Sequence, residues 1–264
     1  MTKETIAKFV DDLPAKGRYV FNRAEIEQTF RKSDAAIKLA LNRLQKKGRI
    51  VSPRRGFYVV VPEEYKQSGA PPPAWFIDAL MKDCNSEYYV GLLSASEIHG
   101  AAHQRPQEFQ VVSDRAHRAI EISRYRIHFF KKWNVNDVPV LDHKTPTGLM
   151  KVSTPEATAL DLVRYYEHVG YYGNVASVLT ELADVMNGQR LVSAAKRGVE
   201  LAVVQRLGYL LDVVDKMKLA DPLHDWLSTK APRITTLRPD LDTGNSPLDR
   251  RWLLYVNEQV EVEP

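Results

Sequence analysis

Apolar residues near the N-terminus change period more than once, and each change predicts an element. Ile6, Phe9, Val10 and Leu13 recur at helical spacing, which predicts a first helix capped by Thr2, running to about Asp12 and stopped by Pro14 and Gly17. Tyr19-Val20-Phe21 is a short β-prone run, and Asn22 is placed to cap a second helix whose core contacts would be Ala24, Ile26 and Phe30. Arg31-Lys32-Ser33 reads as a turn. Ser33 then caps a third helix reaching Lys47, with Asp34 suiting the positive helix end and Gly48 as the residue just past the C-terminus. At about 100° per residue, Ile37, Ala40, Leu41 and Leu44 fall on one narrow stripe, and Ala35, Lys38, Leu39, Asn42, Arg43 and Lys46 on the opposite side. Arg49–Ser52 and Phe57–Val61 follow as paired strands around Pro53-Arg54-Arg55-Gly56. Helix, turn, helix and hairpin in that order predict a winged helix-turn-helix over residues 1–65.

Lys66 to Pro73 is polar and ends in three prolines, so it reads as a stiff, extended linker at 66–73, with a larger α+β domain over 74–264. That domain opens with helices over 74–82 and 88–99. The period then shifts towards strands at 108–112, 121–122, 125–130, 138–141 and 148–152, predicting a mixed or antiparallel sheet of about four or five strands. Ser153-Thr154-Pro155-Glu156 has capping-box register, with Ser153 as cap. Further helices are expected at 174–185, 188–197, 199–214 and 222–228. Arg251–Val256 is expected as a strand returning to the sheet, followed by a loose acidic tail.

The net charge of +4 is unevenly spread: residues 1–61 hold 14 Lys and Arg against 6 Asp and Glu, a balance of +8, leaving −4 for the rest. A basic N-terminal domain on a mildly acidic body predicts a localised polyanion contact. The exposed side of the third helix has the chemistry of a major-groove reader: Lys and Arg neutralise phosphate, Asn can bond an adenine edge twice, and Ala or Leu can touch a thymine methyl. The expected DNA-binding set is Lys32, Ser33, Ala35, Lys38, Leu39, Asn42, Arg43 and Lys46, with Arg54 and Arg55 gripping a phosphate or the minor groove. A second basic group, comprising Arg115, His117, Arg118, Arg124, Arg126, Lys131 and Lys132, is spread over several strands and reads as the polar face of a half-exposed sheet, the alternative being a second nucleic-acid surface over flanking DNA.

Other chemistry finds little support. Cys84 is the only cysteine, so no intrachain disulfide can form, which suits a reducing cytosol. The N-terminus carries acids and lacks a signal-like apolar run, and no window approaches ~18 consecutive apolar residues, so a cytoplasmic protein is expected. His99 and His103 are four apart, but Gly100 intervenes and the HGAAH stretch has no carboxylate, so no metal is expected and His99 reads as a structural helix-end residue. Glu156 and Asp161 could in principle do acid–base work, but capping accounts for Glu156. With no nucleotide-binding, nucleophile-elbow or spaced-cysteine motif, neither a catalytic residue nor a cofactor is expected. The alternative is a DNA-targeted nuclease or nucleotidyltransferase delivered by the winged helix.

Several stretches in order (RYVFNRAEIEQTF, AAIKLALNRLQKKGRIVSPRRGFYVVVP, GLLSASEIHGAAHQRPQEFQVV, STPEATALDLV and RRWLLYVN) resemble the AbiEi-type antitoxins of type IV toxin–antitoxin systems. The resemblance spans nearly the whole length. It implies an N-terminal winged helix that represses its own operon and a C-terminal domain that counters a nucleotidyltransferase-like toxin. It places the DNA-reading helix on Ser33–Lys47 and the wing on Pro53–Gly56, with no catalytic motif to carry over. The expected partners are double-stranded operator DNA, bound as inverted repeats by two copies of a monomer or weak dimer, and, as a functional partner whether or not it is touched, the toxin.

Overall fold

The computed structural model describes residues 5–101 and 106–262. The chain is α+β and divides into two compact units. One comprises Met1–Tyr88, Gln107–Trp133 and Asp142–Lys151, and the other Tyr89–Pro106, Asn134–Leu141 and Val152–Pro264.

The first unit begins with α1 (Ile6–Asp12), β1 (Val20–Asn22), α2 (Arg23–Thr29), α3 (Asp34–Lys46), β2 (Ile50–Arg54) and β3 (Phe57–Val60). This is the element order expected from the sequence. The strands form a sheet in the order β1-β3-β2, antiparallel throughout. Local chemistry sets the helix ends. Asn22 Oδ1 accepts the Glu25 amide at 2.9 Å and Ser33 Oγ the Ala36 amide at 3.4 Å, caps worth about 1 kcal/mol each. After α3, the amides of Gly48 and Arg49 return to the carbonyls of Gln45 and Leu44, closing the last turn. Thr5, not Thr2, caps α1, its hydroxyl taking the Lys8 amide at 3.2 Å; Thr2 lies outside the described residues. Ile37, Leu41 and Leu44 are buried with Ile6, Val10, Ile26 and Phe30, each such side chain contributing roughly 1.5–3 kcal/mol of apolar transfer. Ala24 departs from expectation: it is exposed, because α2 is only two turns long and turns Ile26 alone fully inward.

The Pro-rich stretch at 66–73 does not end this unit. Ala70 and Pro73 are buried, Ser123 Oγ donates to the Ser68 carbonyl, and Trp75 packs edge-on against Tyr19 and Tyr65 with centroids 5.0 and 5.1 Å away. The stiff segment lies along its own unit because Trp75 finds apolar cover there. Next come α4 (Ile77–Asp83), β4 (Tyr88–Val90), β5 (Phe109–Ser113), β6 (Ile120–Ile122), β7 (Tyr125–Lys131), β8 (Val140–Thr145) and β9 (Gly148–Ser153). These six strands make a mixed sheet in the order β6-β7-β5-β4-β9-β8, with β5 parallel and β6 antiparallel to β7. Tyr88–Val90 was expected in a helix. It is a strand because all three side chains are buried, and the helix α5 (Leu92–Ile98) starts only after Gly91.

The second unit is built around α6 (Pro155–Arg164), packed by α5, α7 (Tyr171–Leu182), α8 (Gly188–Ala195) and α9 (Leu201–Val213). Every residue from Glu156 to Val163 is buried, as a helix enclosed on all sides requires. Thr154 caps it in place of Ser153, whose hydroxyl instead meets Thr158 Oγ1 at 2.6 Å. The helix α10 (Met217–Ser228) begins ahead of Pro222, which lies inside it. The chain's end does not rejoin the large sheet. Strands β10 (Thr235–Thr236), β11 (Leu248–Asp249) and β12 (Leu254–Tyr255) form a small sheet of their own, and Trp252 is wholly buried against α9. Gly208 makes that possible, since a methyl there would lie 2.2 Å from the indole. Nor is the start of the acidic tail loose: Glu258 accepts from Arg238 Nη1 at 2.5 Å, and the Asn257 side chain bonds the Arg238 amide and carbonyl at 2.9 and 2.8 Å.

Candidate nucleic-acid interface

Burying Ile37, Leu41 and Leu44 fixes the rotation of α3, and the same rotation turns Ala35, Lys38, Leu39, Asn42, Arg43 and Lys46 to solvent, all exposed. Leu39 is 52% exposed, a large apolar side chain with no core to cover. Among the described residues, Lys38, Asn42, Arg43 and Lys46 have no side-chain partner. Lys32 and Ser33 are exposed at the entry to the helix, where Lys32 Nζ sits 5.8 Å from the Phe30 ring centre and Ser33 serves as cap. The helix thus offers a strip of three cations, an amide and a leucine.

Arg23 positions this helix and was not among the expected residues. Its Nε donates to Glu27 at 2.7 Å, its Nη2 bonds Asp34 in the first turn of α3, and its amide donates to the Gly56 carbonyl at 2.8 Å. One residue therefore ties α2, the start of α3 and the hairpin tip together. The sequence signal for it was the Arg23–Glu27 spacing, which marks an ion pair on one helix face.

The β2–β3 hairpin turns through Arg55 and Gly56, with Arg54 opposite Phe57. Gly56 has φ +85, a conformation that side chains disfavour, so glycine suits the tip. Ser52 Oγ braces the turn by donating towards the carbonyls of Arg54 and Phe57 at 2.8 and 3.0 Å. Arg54 and Arg55 are both exposed, but only Arg55 lacks a partner among the described residues. Arg54 Nη1 is 3.0 Å from Asp83 Oδ2, at the end of α4. β2 packs against β6, whose hairpin with β7 carries much of the second basic group. That group is less open than its composition suggested. Lys132 is buried, Arg126 pairs with Glu108 at 3.1 Å, Arg115 lies 3.6 Å from Asp114, and His117 Nε2 meets Ser86 Oγ at 3.1 Å.

The remaining candidates are occupied with structure. His99 Nε2 donates to the Ser153 carbonyl at 2.7 Å, while His103 lies outside the described residues. Glu156 accepts the Asn187 amide at 2.9 Å and Arg190 Nε at 2.8 Å, and Asp161 accepts the Tyr89 hydroxyl at 2.6 Å. Among the described residues no three His, Cys, Asp or Glu side chains gather in a way that could hold a metal, and no helix is long and apolar enough to cross a membrane.

The fold is therefore that of an α+β protein whose N-terminal helices and hairpin expose cations, followed by a helical unit whose central helix buries two acids, Glu156 and Asp161. Residues 89–213 match the family model described as the AbiEi antitoxin C-terminal domain. The chain carries that domain, the family its sequence resembles, and the domain supports an antitoxin role. No curated protein matches the chain in sequence. Its structure is similar to the crystal structure of the RV2827C protein from Mycobacterium tuberculosis, with a TM-score of 0.67 and 17% identity over 94% of this chain and 89% of that one. At that identity the likeness is one of fold.

Proposed function

We propose that the chain is the antitoxin of a type IV toxin–antitoxin system that reads double-stranded operator DNA, represses its own operon and counteracts a nucleotidyltransferase-like toxin. The antitoxin half rests on the AbiEi domain at 89–213. The DNA half rests on one observation: the α3 face opposite the buried stripe holds Lys38, Asn42, Arg43 and Lys46, all exposed and without partners among the described residues. In this reading α3 is a winged-helix recognition helix lying in the major groove. Asn42 addresses a base edge, Leu39 and Ala35 meet thymine methyls, and the lysines and Arg43 neutralise phosphates. The hairpin reaches the adjoining backbone through Arg55 and Arg54. Two copies on inverted repeats would cover an operator.

The DNA half is tested by gel-shift titration of the duplex immediately upstream of the chain's own coding sequence, against an unrelated duplex of equal length, over a range of salt. The expected result is preference for the upstream duplex, binding that weakens as salt rises, and loss of affinity in Lys38→Ala/Lys46→Ala. Absence of binding at low salt removes this half of the proposal. Co-expression with a neighbouring nucleotidyltransferase-like gene tests the other half: growth arrest by that gene should be relieved by the chain.

A further inference from the structure

The two arginines of the hairpin tip have different surroundings. Arg55 projects without an ionic partner among the described residues, whereas Arg54 is held by Asp83 at 3.0 Å. Both members of that pair are accessible, Arg54 at 51% and Asp83 at 25% of the side chain, so the guanidinium can change partners without unfolding anything around it. Arg54 also borders a cleft of about 370 Å³ with Cys84, His117, Arg118 and Glu121. Burial pushes the Cys84 thiol up and the His117 ring down, so at neutral pH both are uncharged beside Arg54. Among the described residues Asp83 is the acid in ion-pair contact with Arg54, and it presents one carboxylate oxygen to a guanidinium nitrogen, as a phosphate oxygen would.

We propose that Asp83 is a built-in competitor for DNA at the hairpin: it occupies Arg54 in the unbound chain and gives it up to a backbone phosphate on binding. The proposal rests on the DNA-binding reading above. The exchange conserves the ion pairs made by Arg54, but it leaves a bare carboxylate near the DNA that must recruit a cation from solution. Asp83 therefore lowers affinity and flattens its salt dependence, acting as a restraint on the hairpin while α3 supplies base preference.

The test uses the full chain with the upstream duplex, comparing Asp83→Asn, Arg54→Ala and the double variant, with Asp83→Ser as a second replacement should the asparagine misfold by circular dichroism. Asp83→Asn is expected to tighten binding about threefold to tenfold at low salt. It should also steepen the slope of log affinity against log salt by about 0.9, the value for one phosphate contact. In the Arg54→Ala background the same change should do nothing. Unchanged or weaker binding in Asp83→Asn overturns the proposal, weaker binding meaning that Asp83 instead orients Arg54 for DNA. An equal gain without Arg54 also overturns it, since the effect is then general electrostatics. If Lys38→Ala/Lys46→Ala weakens binding while Asp83→Asn is inert, only this inference fails. If the wild-type chain binds no duplex at low salt, the DNA-binding reading fails and takes this one with it.

Discussion

Helices α3 and α6 start alike and use their charges in opposite ways. Each is capped by a hydroxyl, Ser33 or Thr154, and each has an acid in its first turn, Asp34 or Glu156. In α3 the core takes one stripe, and the cations beyond the first turn point to solvent unpaired among the described residues. In α6 the core surrounds the helix, and each acid is met by donors: Glu156 by Asn187 and Arg190, Asp161 by Tyr89. An enclosed helix can keep an ionised side chain only if something pairs with it, because an unpaired buried charge costs several kcal/mol. A helix covering one side of a core has no such constraint. Its exposed charges contribute little to stability and remain available for a partner. The charges of α6 are scaffolding, and those of α3 stay exposed on the face that the proposed DNA contact uses.

Substitutions that unfold the helical unit should leave the interface chemistry untouched, and the reverse. The largest expected effect is Gly208→Ala, whose methyl would lie 2.2 Å from the buried Trp252 ring. Overpacking of that severity is expected to cost about 3 kcal/mol, read as a lower urea midpoint. An unchanged midpoint would mean that Trp252 is not locked against α9. Arg190→Ala comes next. It strips one donor from a carboxylate that is 2% exposed, though Arg190 itself is 64% exposed and screened, so about 2 kcal/mol is expected rather than the full cost of a buried pair. DNA affinity measured well below the melting temperature should not change in either variant. Asn42→Ala inverts the pattern: stability should stay within about 0.5 kcal/mol of wild type, while preference at one base position relaxes by ~1–3 kcal/mol. Retention of full base preference in a selection from randomised duplexes would remove Asn42 from the reading set. Arg55→Ala is smaller again, weakening binding to every sequence alike and reducing the salt slope by about 0.9.

How much of this was legible depended on whether the cause was local. The α3 stripe, the caps Asn22 and Ser33 and the hairpin turn all lie within a few residues of what determines them, and they appeared where the pattern put them. The shift of one position at the start of α6 came from two neighbouring hydroxyls, Ser153 and Thr154, that serve equally well on paper. Tyr88–Val90 was misread because a short run buried on all sides has no period to separate strand from helix. Trp252 against Gly208, Arg54 against Asp83, and the packing of the Pro-rich stretch through Trp75 are all tertiary. Partners 29 or 44 residues apart leave no trace in spacing. Of the candidate site, the exposed face of α3 was therefore readable in advance; Arg23 showed only its local pair with Glu27, and the Arg54–Asp83 pair left no signal at all.

The smallest effect tests the paired side of the comparison by pH. Arg238 donates from Nε and Nη2 to Asp240 at 2.8 and 2.6 Å, and the Tyr166 hydroxyl adds a third bond at 3.0 Å. These donors, Arg238 foremost, hold the Asp240 carboxyl well below the usual carboxylate range. Because the folded value lies below the unfolded one, near 4, the stabilisation is complete above about pH 4 and is lost as pH falls through the folded value. Asp240 is half-exposed, so solvent screens the interaction and the effect should be modest. Melting temperatures of wild type and Asp240→Asn, followed from about pH 7 down to about pH 2, should differ by a constant small gap until about pH 4 and then converge. The same titration of Lys38→Ala should track wild type throughout, since Lys38 makes no ion pair among the described residues for protonation to break. A gap for Asp240→Asn that persists unchanged into acid would show that the Arg238 cluster holds its segment by packing on Tyr166 and Tyr171 instead of by charge, and would narrow the contrast with α3 to the buried acids of α6.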